Sequence, residues 1–456
     1  MVAVTAPCEP MPPGPSPDPA AEVAAWAASG AMWLTGPADG APLGPPSGLV
    51  PKLRAIAAFL ADRAAALGGR LEVDPLAMLG HRAAVAGLRR QGTTSCGGAT
   101  RLLPARDGWL AVSLARPSDV ELVPAWFEIT GRHVPATGIA TEEVWGTVAA
   151  QIAASPVGPI LDRALLLGLA AAALPGTPPV PVVAPAPLAP LPVRATAVAA
   201  DSGPIVDLAR ADGSAATLAG LLVVDLSSLW AGPLAGALLA AAGATVVKVE
   251  STGRPDGARS GPPAFFDLLN GHKRSVALDL GDPGDVRVLR RMLARADVVV
   301  EASRPRALEH LGIDALGLLA AGGPRVWVSI TGHGRAGRAR DRVGFGDDAA
   351  VAGGLVCRLG DRPVFCADAV ADPASGMVAA AAALGALAAG GPWLVDVAMS
   401  GVAAHLAGPT LPAGDPPPRA APPSARPSAW PVDAHAPAPP LGEHTRAVLA
   451  GLGLSR

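Results

Sequence analysis

Aromatic side chains are scarce in this 456-residue chain, which contains 9 Trp, 6 Phe and no Tyr. Half of the residues are nevertheless hydrophobic, so a core can form but must be filled mainly by small aliphatic side chains. Charge is also scarce, because 16% of the residues are charged, against about 25% in typical globular proteins. The 36 basic and 38 acidic residues nearly cancel. No basic excess is left to displace phosphate counterions, which argues against a nucleic-acid-binding protein.

Cysteine is rare, and its spread argues against a small secreted fold held by disulfides. The four cysteines are Cys8, Cys96, Cys357 and Cys366. The N-terminus has neither a basic segment nor an apolar run, so no signal peptide is predicted. Two uncharged stretches, 226–247 and 376–395, are long enough to span a bilayer but consist mainly of Ala and Gly. We therefore expect a soluble cytoplasmic protein with no membrane contact.

Glycine-rich cofactor motifs are missing. The turn after the first predicted strand of the second half reads DLSSLWAGPLAG rather than GxGxxG, so a nicotinamide or flavin cofactor is not indicated. The chain has no P-loop, HExxH, CxxC or GxSxG element. The 8 His are scattered, and Cys357 and Cys366 have no clustered His or acidic partners. We predict neither a metal site nor a tightly bound cofactor.

Proline, with 50 residues, marks the boundaries between parts of the chain. Eight prolines fall within 175–192 and twelve within 409–440, which is typical of extended linkers. The predicted parts are a proline-rich tail at 1–20, a first block at 21–174, a linker at 175–204, a second block at 205–408, a proline-rich segment at 409–440 and a C-terminal tail at 441–456.

The second block alternates between β-branched runs and Ala-rich or Leu-rich helical stretches, as a parallel sheet requires. Continuous apolar runs predict strands that are buried on both faces. The predicted strands are 221–226, 245–250, 275–280, 297–301 and 325–330. The expected fold class is α/β, with a Rossmann-like, doubly wound, mostly parallel sheet. Ligands of such folds bind at the carboxyl ends of the strands.

Six elements of the chain resemble class III CoA-transferases, the family of formyl-CoA and carnitine CoA-transferases. They are 223–250, 268–280, 296–312, 328–334, 371–377 and 440–453, in the order of that family. Acyl-CoA and a carboxylic acid are the substrates that this resemblance implies, and a homodimer is the implied assembly. The block 97–126 resembles the small domain of these enzymes, so a second, smaller α+β domain is expected.

The resemblance implies that Asp372, in the element ADPASGM, is the nucleophile. Its carboxylate would attack the thioester of an acyl-CoA and carry CoA as an aspartyl thioester to an acceptor acid. Gly376 is the candidate for stabilising the oxyanion. Local sequence offers a second interpretation, in which Asp372 is simply the N-cap of a helix and Pro373 its first residue.

The same resemblance implies a set of CoA-binding positions near the predicted strand ends. They are Trp230, Ala231, Arg254, Lys273, Arg274, Leu278, Asp279, Ala302, Ser303, Arg304, Thr331 and Gly332. Three positions in and around this set differ from formyl-CoA transferase. Trp230 replaces a Gln, Ser251 replaces an Arg and Thr331 replaces a Lys. Since the phosphates of CoA need cationic or backbone N–H partners, we expect Lys273, Arg274, Arg304 and Arg306 to substitute.

Two other functions stay open. The α-methylacyl-CoA racemases of the same superfamily have a His where this chain has Phe345, with Asp347 and Asp348 shifted and His333 upstream. Loss of that base disfavours racemisation, which needs two bases. The altered phosphate-site residues also allow a catalytically degenerate CoA-binding subunit.

An internal repeat accounts for the first block. Residues 44–74 parallel 372–396, with Gly44 in place of the nucleophile Asp372. The chain therefore resembles two truncated transferase copies joined in permuted order. We expect 21–174 to act as a lid over Asp372, either within one chain or across a dimer.

Overall fold

The computed structural model describes residues 18–129, 140–176, 179, 182, 184–189, 191–198, 217–407, 425–428 and 436–455. Most of the predicted proline-rich segments at 1–20 and 409–440 lie outside these ranges. The strands are β1 Thr100–Ala105, β2 Gly108–Ser113, β3 Ala170–Ala173, β4 Arg194–Ala197, β5 Leu222–Asp225, β6 Thr245–Ser251, β7 Arg274–Leu278, β8 Val298–Glu301, β9 Val326–Thr331, β10 Val356–Leu359, β11 Arg362–Phe365 and β12 Trp393–Ala398.

The helices precede, connect and follow these strands. They are α1 Pro19–Ala28, α2 Leu49–Ala66, α3 His81–Ala86, α4 Pro117–Glu121, α5 Val123–Trp126, α6 Glu142–Ala153, α7 Val157–Leu166, α8 Ala231–Ala241, α9 Pro263–Asn270, α10 Pro283–Leu293, α11 Pro305–His310, α12 Ala315–Ala320, α13 Gly346–Ala352, α14 Ala371–Ala389, α15 Met399–Ala407 and α16 Thr445–Gly451.

Seven strands form one sheet in the order β4-β12-β9-β8-β5-β6-β7. All neighbours are parallel except β4, which pairs antiparallel with β12 at the edge. The five strands predicted from β-branched runs are all present and all parallel. The prediction of an α/β fold with a mostly parallel sheet is confirmed.

A smaller α+β unit is built from the first block. The strands β1, β2 and β3 form an antiparallel sheet in that order. Trp126 on α5, Trp145 on α6 and Leu110 on β2 are buried in one apolar cluster. This unit packs on α13, which lies against β2 and β3 on one side and against α14 and α15 on the other. Helix α13 therefore connects the small sheet to the helices that pack on the large sheet.

Helix α14 runs through the centre of the molecule and packs against α2 and α8. Small residues allow this close packing, because a Cβ at Gly376 would lie 2.7 Å from the carbonyl oxygen of Ala231. Among the described helices, α14 is long and apolar enough to cross a membrane, but 89% of its apolar window is buried inside the protein. In place of aromatic side chains, small Ala and Gly residues fill this part of the core by letting the helices pack closely together.

The predicted linker at 175–204 is partly integrated into the fold, which corrects the prediction of a spacer. Its residues Arg194–Ala197 form the edge strand β4, and Leu188, Leu191 and Val193 are buried. Apolar side chains between the prolines bury against the large core, and an edge strand tolerates nearby proline. In the internal repeat, Val73 and Asp74 form no strand, unlike their counterparts in β12.

Lys273 has a structural role in the sheet rather than the predicted phosphate-binding role. Its fully buried ammonium donates to Asp225 Oδ2 at 2.8 Å, to the carbonyl of Pro233 at 2.8 Å and to Asn270 Oδ1 at 3.0 Å. Burial lowers the pKa of Lys273 to about 8, against the opposing effect of Asp225. With all three N–H donors used, the ammonium has none left for a ligand.

Candidate active site

Asp372 lies in the first turn of α14, whose N-cap is Val370. The interpretation of Asp372 as the N-cap is wrong, because the helix starts two residues earlier and the N–H of Asp372 already donates to the Ala369 carbonyl at 2.8 Å. Among the described residues, nothing donates a hydrogen bond to its carboxylate. Pro373 still lies in the first turn, where a missing N–H breaks no helical hydrogen bond. The Asp372 side chain is left free for chemistry.

The backbone around this helix start is strained. Ala367 and Ala369 have φ angles of 54° and 43°, and Leu229, just before α8, has 71°. Residues with a Cβ rarely adopt this left-handed region, at a cost of about 1–3 kcal/mol each. Tertiary contacts hold the strain: Ala367 N–H donates to Thr35 Oγ1 at 3.1 Å, and Leu229 N–H donates to Asp256 Oδ1 at 2.9 Å. Strain of this kind clusters at functional sites.

Gly346, the first residue of α13, packs directly against the Asp372 carboxylate. A Cβ at position 346 would collide with Asp372 Oδ2 and with the Ala369 carbonyl, so the site needs glycine there. Burial raises the pKa of Asp372 to about 7, while Arg82 opposes this shift. Asp372 therefore changes protonation state near neutral pH, as a catalytic carboxyl should.

The negative charges of three further aspartates, Asp347, Asp348 and Asp368, also raise the pKa of Asp372. Burial raises the pKa of Asp347 to about 6 and the pKa of Asp348 to about 7. Carboxyl groups this close resist simultaneous ionisation unless a cation stands among them. Among the described residues, no group of three or more His, Cys, Asp or Glu is arranged to hold a metal ion.

The cation is Arg82, which lies on α3 in the first block and which the sequence patterns did not identify. Its Nε donates to Asp368 Oδ2 at 2.9 Å and its Nη2 to Asp368 Oδ1 at 2.5 Å, and Asp368 is fully buried. The guanidinium also lies 5.2 Å from the centroid of the Trp230 ring. Burial lowers the pKa of Arg82, but Asp368, Asp347 and Asp372 together raise it well above its usual range.

The small unit also reaches the site, through Ser113 at the end of β2. Ser113 Oγ donates to Asp348 Oδ1 at 3.1 Å, and the N–H of Phe345 donates to the same oxygen at 2.9 Å. The first contact is buried and the second is partly buried, and together they fix the position of α13. The first block therefore contributes polar side chains, among them Arg82 and Ser113, to the surroundings of Asp372 within one chain.

Arginines cluster at the carboxyl end of the large sheet. Arg254 follows β6, Arg304 precedes α11, and Arg306 lies on α11. Burial lowers the pKa of Arg304, and repulsion from Arg306, Arg116 and Arg254 lowers it further. Like charges held this close are typical of an anion site. Arg116 comes from the small unit, and no sequence motif had identified it.

The other predicted CoA positions have more varied surroundings. Thr331 ends β9, and its Oγ1 accepts from the N–H of Gly334 at 2.9 Å. Ser303 donates to the buried carboxylate of Glu301 through both N–H and Oγ, at 3.0 and 3.1 Å. Arg274, Asp279 and Ala302 are exposed, Leu278 is buried in β7, and Gly332 packs on Gly344.

The structure argues against Gly376 as the oxyanion donor. Gly376 lies inside α14, one turn beyond Asp372, where its N–H belongs to the helical hydrogen-bond ladder. Its close approach to the Ala231 carbonyl, together with its burial, gives it a packing role between α14 and α8. Trp230 and Ala231 do lie beside the site. The Trp230 ring contacts the Arg82 guanidinium, and the Ala231 carbonyl packs against Gly376.

Comparisons with known proteins show the following similarities. The sequence model of CoA-transferase family III matches residues 218–440. The chain is 33% identical over 180 residues to the succinyl-CoA:glutarate CoA-transferase of Mus musculus, covering 37% of this chain and 41% of that protein. It is 33% identical over 150 residues to the succinyl-CoA–D-citramalate CoA-transferase of Chloroflexus aurantiacus, covering 31% of this chain and 37% of that protein.

Among solved structures, a CaiB/BaiF family protein from Brucella suis is 31% identical, with a TM-score of 0.38 over 41% of this chain and 54% of that chain. The matching segment spans less than half the length of the two curated relatives described above.

The raised pKa of Asp348 makes stability depend on pH. A carboxyl with a raised folded-state pKa favours the folded state at low pH, and this contribution is lost as the pH rises through about 7. Asp348→Asn removes this titration but keeps the oxygen that accepts from Ser113. We expect the variant to gain stability relative to the parent between pH 5 and pH 8, as measured by urea midpoints. Asp62→Asn, at an exposed position on α2, should show no such trend; an equal trend in both would contradict this reasoning.

Proposed function

We propose that this chain transfers coenzyme A from an acyl-CoA thioester to a free carboxylic acid, since the sequence model of CoA-transferase family III matches residues 218–440. One observation supports the proposal most. Asp372 presents a carboxyl group with no hydrogen-bond donor among the described residues and a pKa raised to about 7, in contact with Gly346. Desolvation makes this carboxylate a better nucleophile than one in water, and its pKa leaves a large ionised fraction at neutral pH.

The chemistry proceeds through acyl exchange at Asp372. Its carboxylate attacks the thioester carbonyl, the carbon–sulfur bond breaks, and a mixed anhydride and CoA thiolate result. The thiolate then attacks the aspartyl carbonyl of the anhydride, which releases the donor acid and leaves CoA as a thioester on Asp372. The acceptor carboxylate reverses these two steps and departs as the new acyl-CoA. Every step is a nucleophilic acyl substitution, and none needs a redox group.

The role we propose for Arg82 follows from its charge. Its guanidinium favours the ionised form of Asp372, and its bidentate pairing with Asp368 holds it in place. Without it, the neighbouring negative charges would favour the protonated form of Asp372 further, and a protonated carboxyl is a poor nucleophile.

The arginine cluster is proposed to bind the phosphates of CoA. Arg254, Arg304 and Arg306 border the carboxyl ends of β6 and β8, where ligands of doubly wound folds bind. Arg116 extends the cluster from the small unit, so the nucleotide would lie between the two parts of the fold. Phosphate oxygens would relieve the mutual repulsion that lowers the pKa of Arg304.

Transfer is favoured over racemisation by the residue at position 345. Phe345 stands where racemases have a catalytic His. The Arg116 guanidinium carbon lies over its ring, 6.0 Å from the ring centroid. A phenyl ring cannot move a proton. The homodimer implied by the family resemblance and a cytoplasmic location are also proposed, and sedimentation of the purified chain tests the first.

Replacement of the nucleophile tests the covalent route. Asp372→Asn keeps the shape of the side chain but cannot form the anhydride, so we expect kcat to fall on the order of 10⁴-fold or more. The parent, incubated with a panel of acyl-CoAs and then hydroxylamine, should yield a hydroxamate on the peptide that contains Asp372, detected by mass spectrometry.

CoA binding by Asp372→Asn is the control, because the substitution leaves the arginine cluster intact. If the parent exchanges CoA normally but no acyl-CoA ever labels Asp372, the covalent route is wrong. If CoA binds tightly and no acid is exchanged, the chain is a CoA-binding subunit. Deuterium uptake at the α-carbon without a change of acyl partner would indicate a racemase.

The phosphate site has its own test. Arg304→Gln should raise KM for an acyl-CoA donor by about 10- to 100-fold, the usual loss for one charged hydrogen-bonded contact. The matched control is the acyl-pantetheine donor, which carries the same thioester without the nucleotide. Its KM should differ much less between parent and variant. Equal effects on both donors would place Arg304 outside a phosphate site.

A further inference from the structure

One turn of the chain leads directly into the helix of the nucleophile. It consists of residues 366–370, between β11 and α14, and Ala367, Asp368 and Ala369 in it are buried. Ala367 and Ala369 adopt left-handed φ angles, which residues with a Cβ keep only where the surrounding structure holds them. We call residues 366–370 the strained turn. The contacts that hold it decide where the residues after it lie.

The strained turn carries two parts of the site. Asp368 accepts two hydrogen bonds from Arg82, at 2.9 and 2.5 Å. The carbonyl of Ala369 accepts from the N–H of Asp372 at 2.8 Å, in the first turn of α14. Gly346 packs closely against both Ala369 and Asp372, so the turn and the nucleophile border one wall. A shift of the strained turn would therefore move Asp372 relative to Arg82.

Thr35 of the first block holds the strained turn at Ala367. Its Oγ1 accepts from the N–H of Ala367 at 3.1 Å and donates to the carbonyl of Ala31 at 2.8 Å, and the side chain is fully buried. Because the single hydroxyl proton is used on Ala31, the oxygen is left to accept from Ala367. The main chain of Thr35 is fixed as well, since its carbonyl accepts from the N–H of Leu43 at 3.0 Å.

Two other side chains also contact the strained turn, but each differs from Thr35 in its chemistry. Cys96 Sγ lies 3.5 Å from the Ala367 carbonyl, and a thiol is only a weak donor. Asp347 Oδ1 accepts from the N–H of Ala369 at 3.1 Å, but its charge also acts on the nucleophile directly. Thr35 carries no charge. Its effect on the nucleophile must therefore come through the position of the turn.

We propose that Thr35 is a positioning residue for the nucleophile. Its hydroxyl holds the strained turn at Ala367, and the turn places Asp368, the Arg82 guanidinium that Asp368 binds, and the start of α14. Because it is fully buried, Thr35 acts through these groups rather than by contact with the substrate. This inference rests on the proposed CoA transfer and adds to it a residue of the first block that holds the catalytic geometry.

Thr35→Val tests the hydroxyl, because valine has nearly the same shape but can neither donate nor accept. We expect kcat for CoA transfer by the full chain to fall about 10- to 100-fold, the scale of loss when reacting groups are misplaced. KM for the acyl-CoA should change little, since the arginine cluster is not part of the turn. Thr35→Ser keeps the hydroxyl and should retain most of the kcat; an equal loss in both variants would overturn the inference.

The pH profile separates positioning from stability. The charged groups that act most on the Asp372 carboxyl are Arg82 of α3, Asp347 and Asp348 of α13 and Asp368 of the strained turn. Loosening the turn weakens the hold on the one cation of this set. The acidic limb of thioester formation in a single turnover should therefore move to higher pH in Thr35→Val.

Val288→Ala is the matched control for lost stability. Val288 lies on α10, in an apolar cluster whose described members include no residue of α14. This variant should lower the urea midpoint of unfolding but leave kcat and the acidic limb unchanged. Should Thr35→Val not fold, Thr35→Ala takes its place, because it removes the same hydroxyl without adding bulk.

Relief of the strain gives a second test. Glycine adopts a left-handed φ at little cost, so a turn with Ala367→Gly needs less support. Added to Thr35→Val, this substitution should restore part of the lost kcat, whereas in the parent chain it should change kcat little. No recovery in the double variant would overturn the inference.

The outcomes for the inference and for the proposed function can be told apart. If Thr35→Val lowers only the urea midpoint, with kcat and the limb unchanged, the inference is wrong and CoA transfer stands. If the parent transfers no CoA, the proposed function is wrong, and NMR titration of aspartates labelled at the carboxyl carbon decides on the inference. The signal missing in Asp372→Asn identifies Asp372. Its midpoint should be higher in Thr35→Val than in the parent, and equal midpoints would overturn the inference as well.

Discussion

The bidentate pair between Arg82 and Asp368 is the interaction on which the rest of the site depends. Asp347, Asp348 and Asp372 are the other carboxyl groups that act on one another here, and burial drives all three towards the neutral form. One guanidinium, held by two hydrogen bonds and by the Trp230 ring, offsets this tendency for Asp347 and Asp372. A buried carboxylate without such a partner would be protonated at neutral pH. The position of the cation therefore decides whether Asp372 can act as a nucleophile.

The position of Arg82 also explains why the chain carries its first block. The second block supplies the parallel sheet, the arginines at its carboxyl end and the helix that presents Asp372. The first block supplies Arg82, together with Ser113 and Arg116 from the small unit. Neither block holds the complete set of groups, and in this structure one chain brings them together. The permuted, truncated repeat indicated by the sequence stays a prediction, and the structure shows only that groups from both blocks surround Asp372.

The sequence predicted those features that depend on local pattern. Five β-branched runs predicted five parallel strands, and the six family elements located Asp372. Contacts between distant residues were not predictable in this way: nothing near Lys273 in the sequence indicates that Asp225 pairs with it, and no motif marks Arg82. The oxyanion role of Gly376 is disfavoured because its N–H belongs to the hydrogen-bond ladder of α14, and its contact with the distant Ala231 was not predictable from local sequence. The edge strand β4 was missed because its flanking prolines are typical of a linker.

In the proposed mechanism, Arg82 of the first block sets the ionisation of Asp372. This role is tested most directly by the pH dependence of aspartyl thioester formation in a single turnover, compared between the parent chain and Arg82→Gln. We expect the acidic limb of the profile to move to higher pH in the variant, because loss of the guanidinium raises the pKa of Asp372 further. A variant that forms the thioester more slowly at every pH, with the limb unmoved, would contradict it.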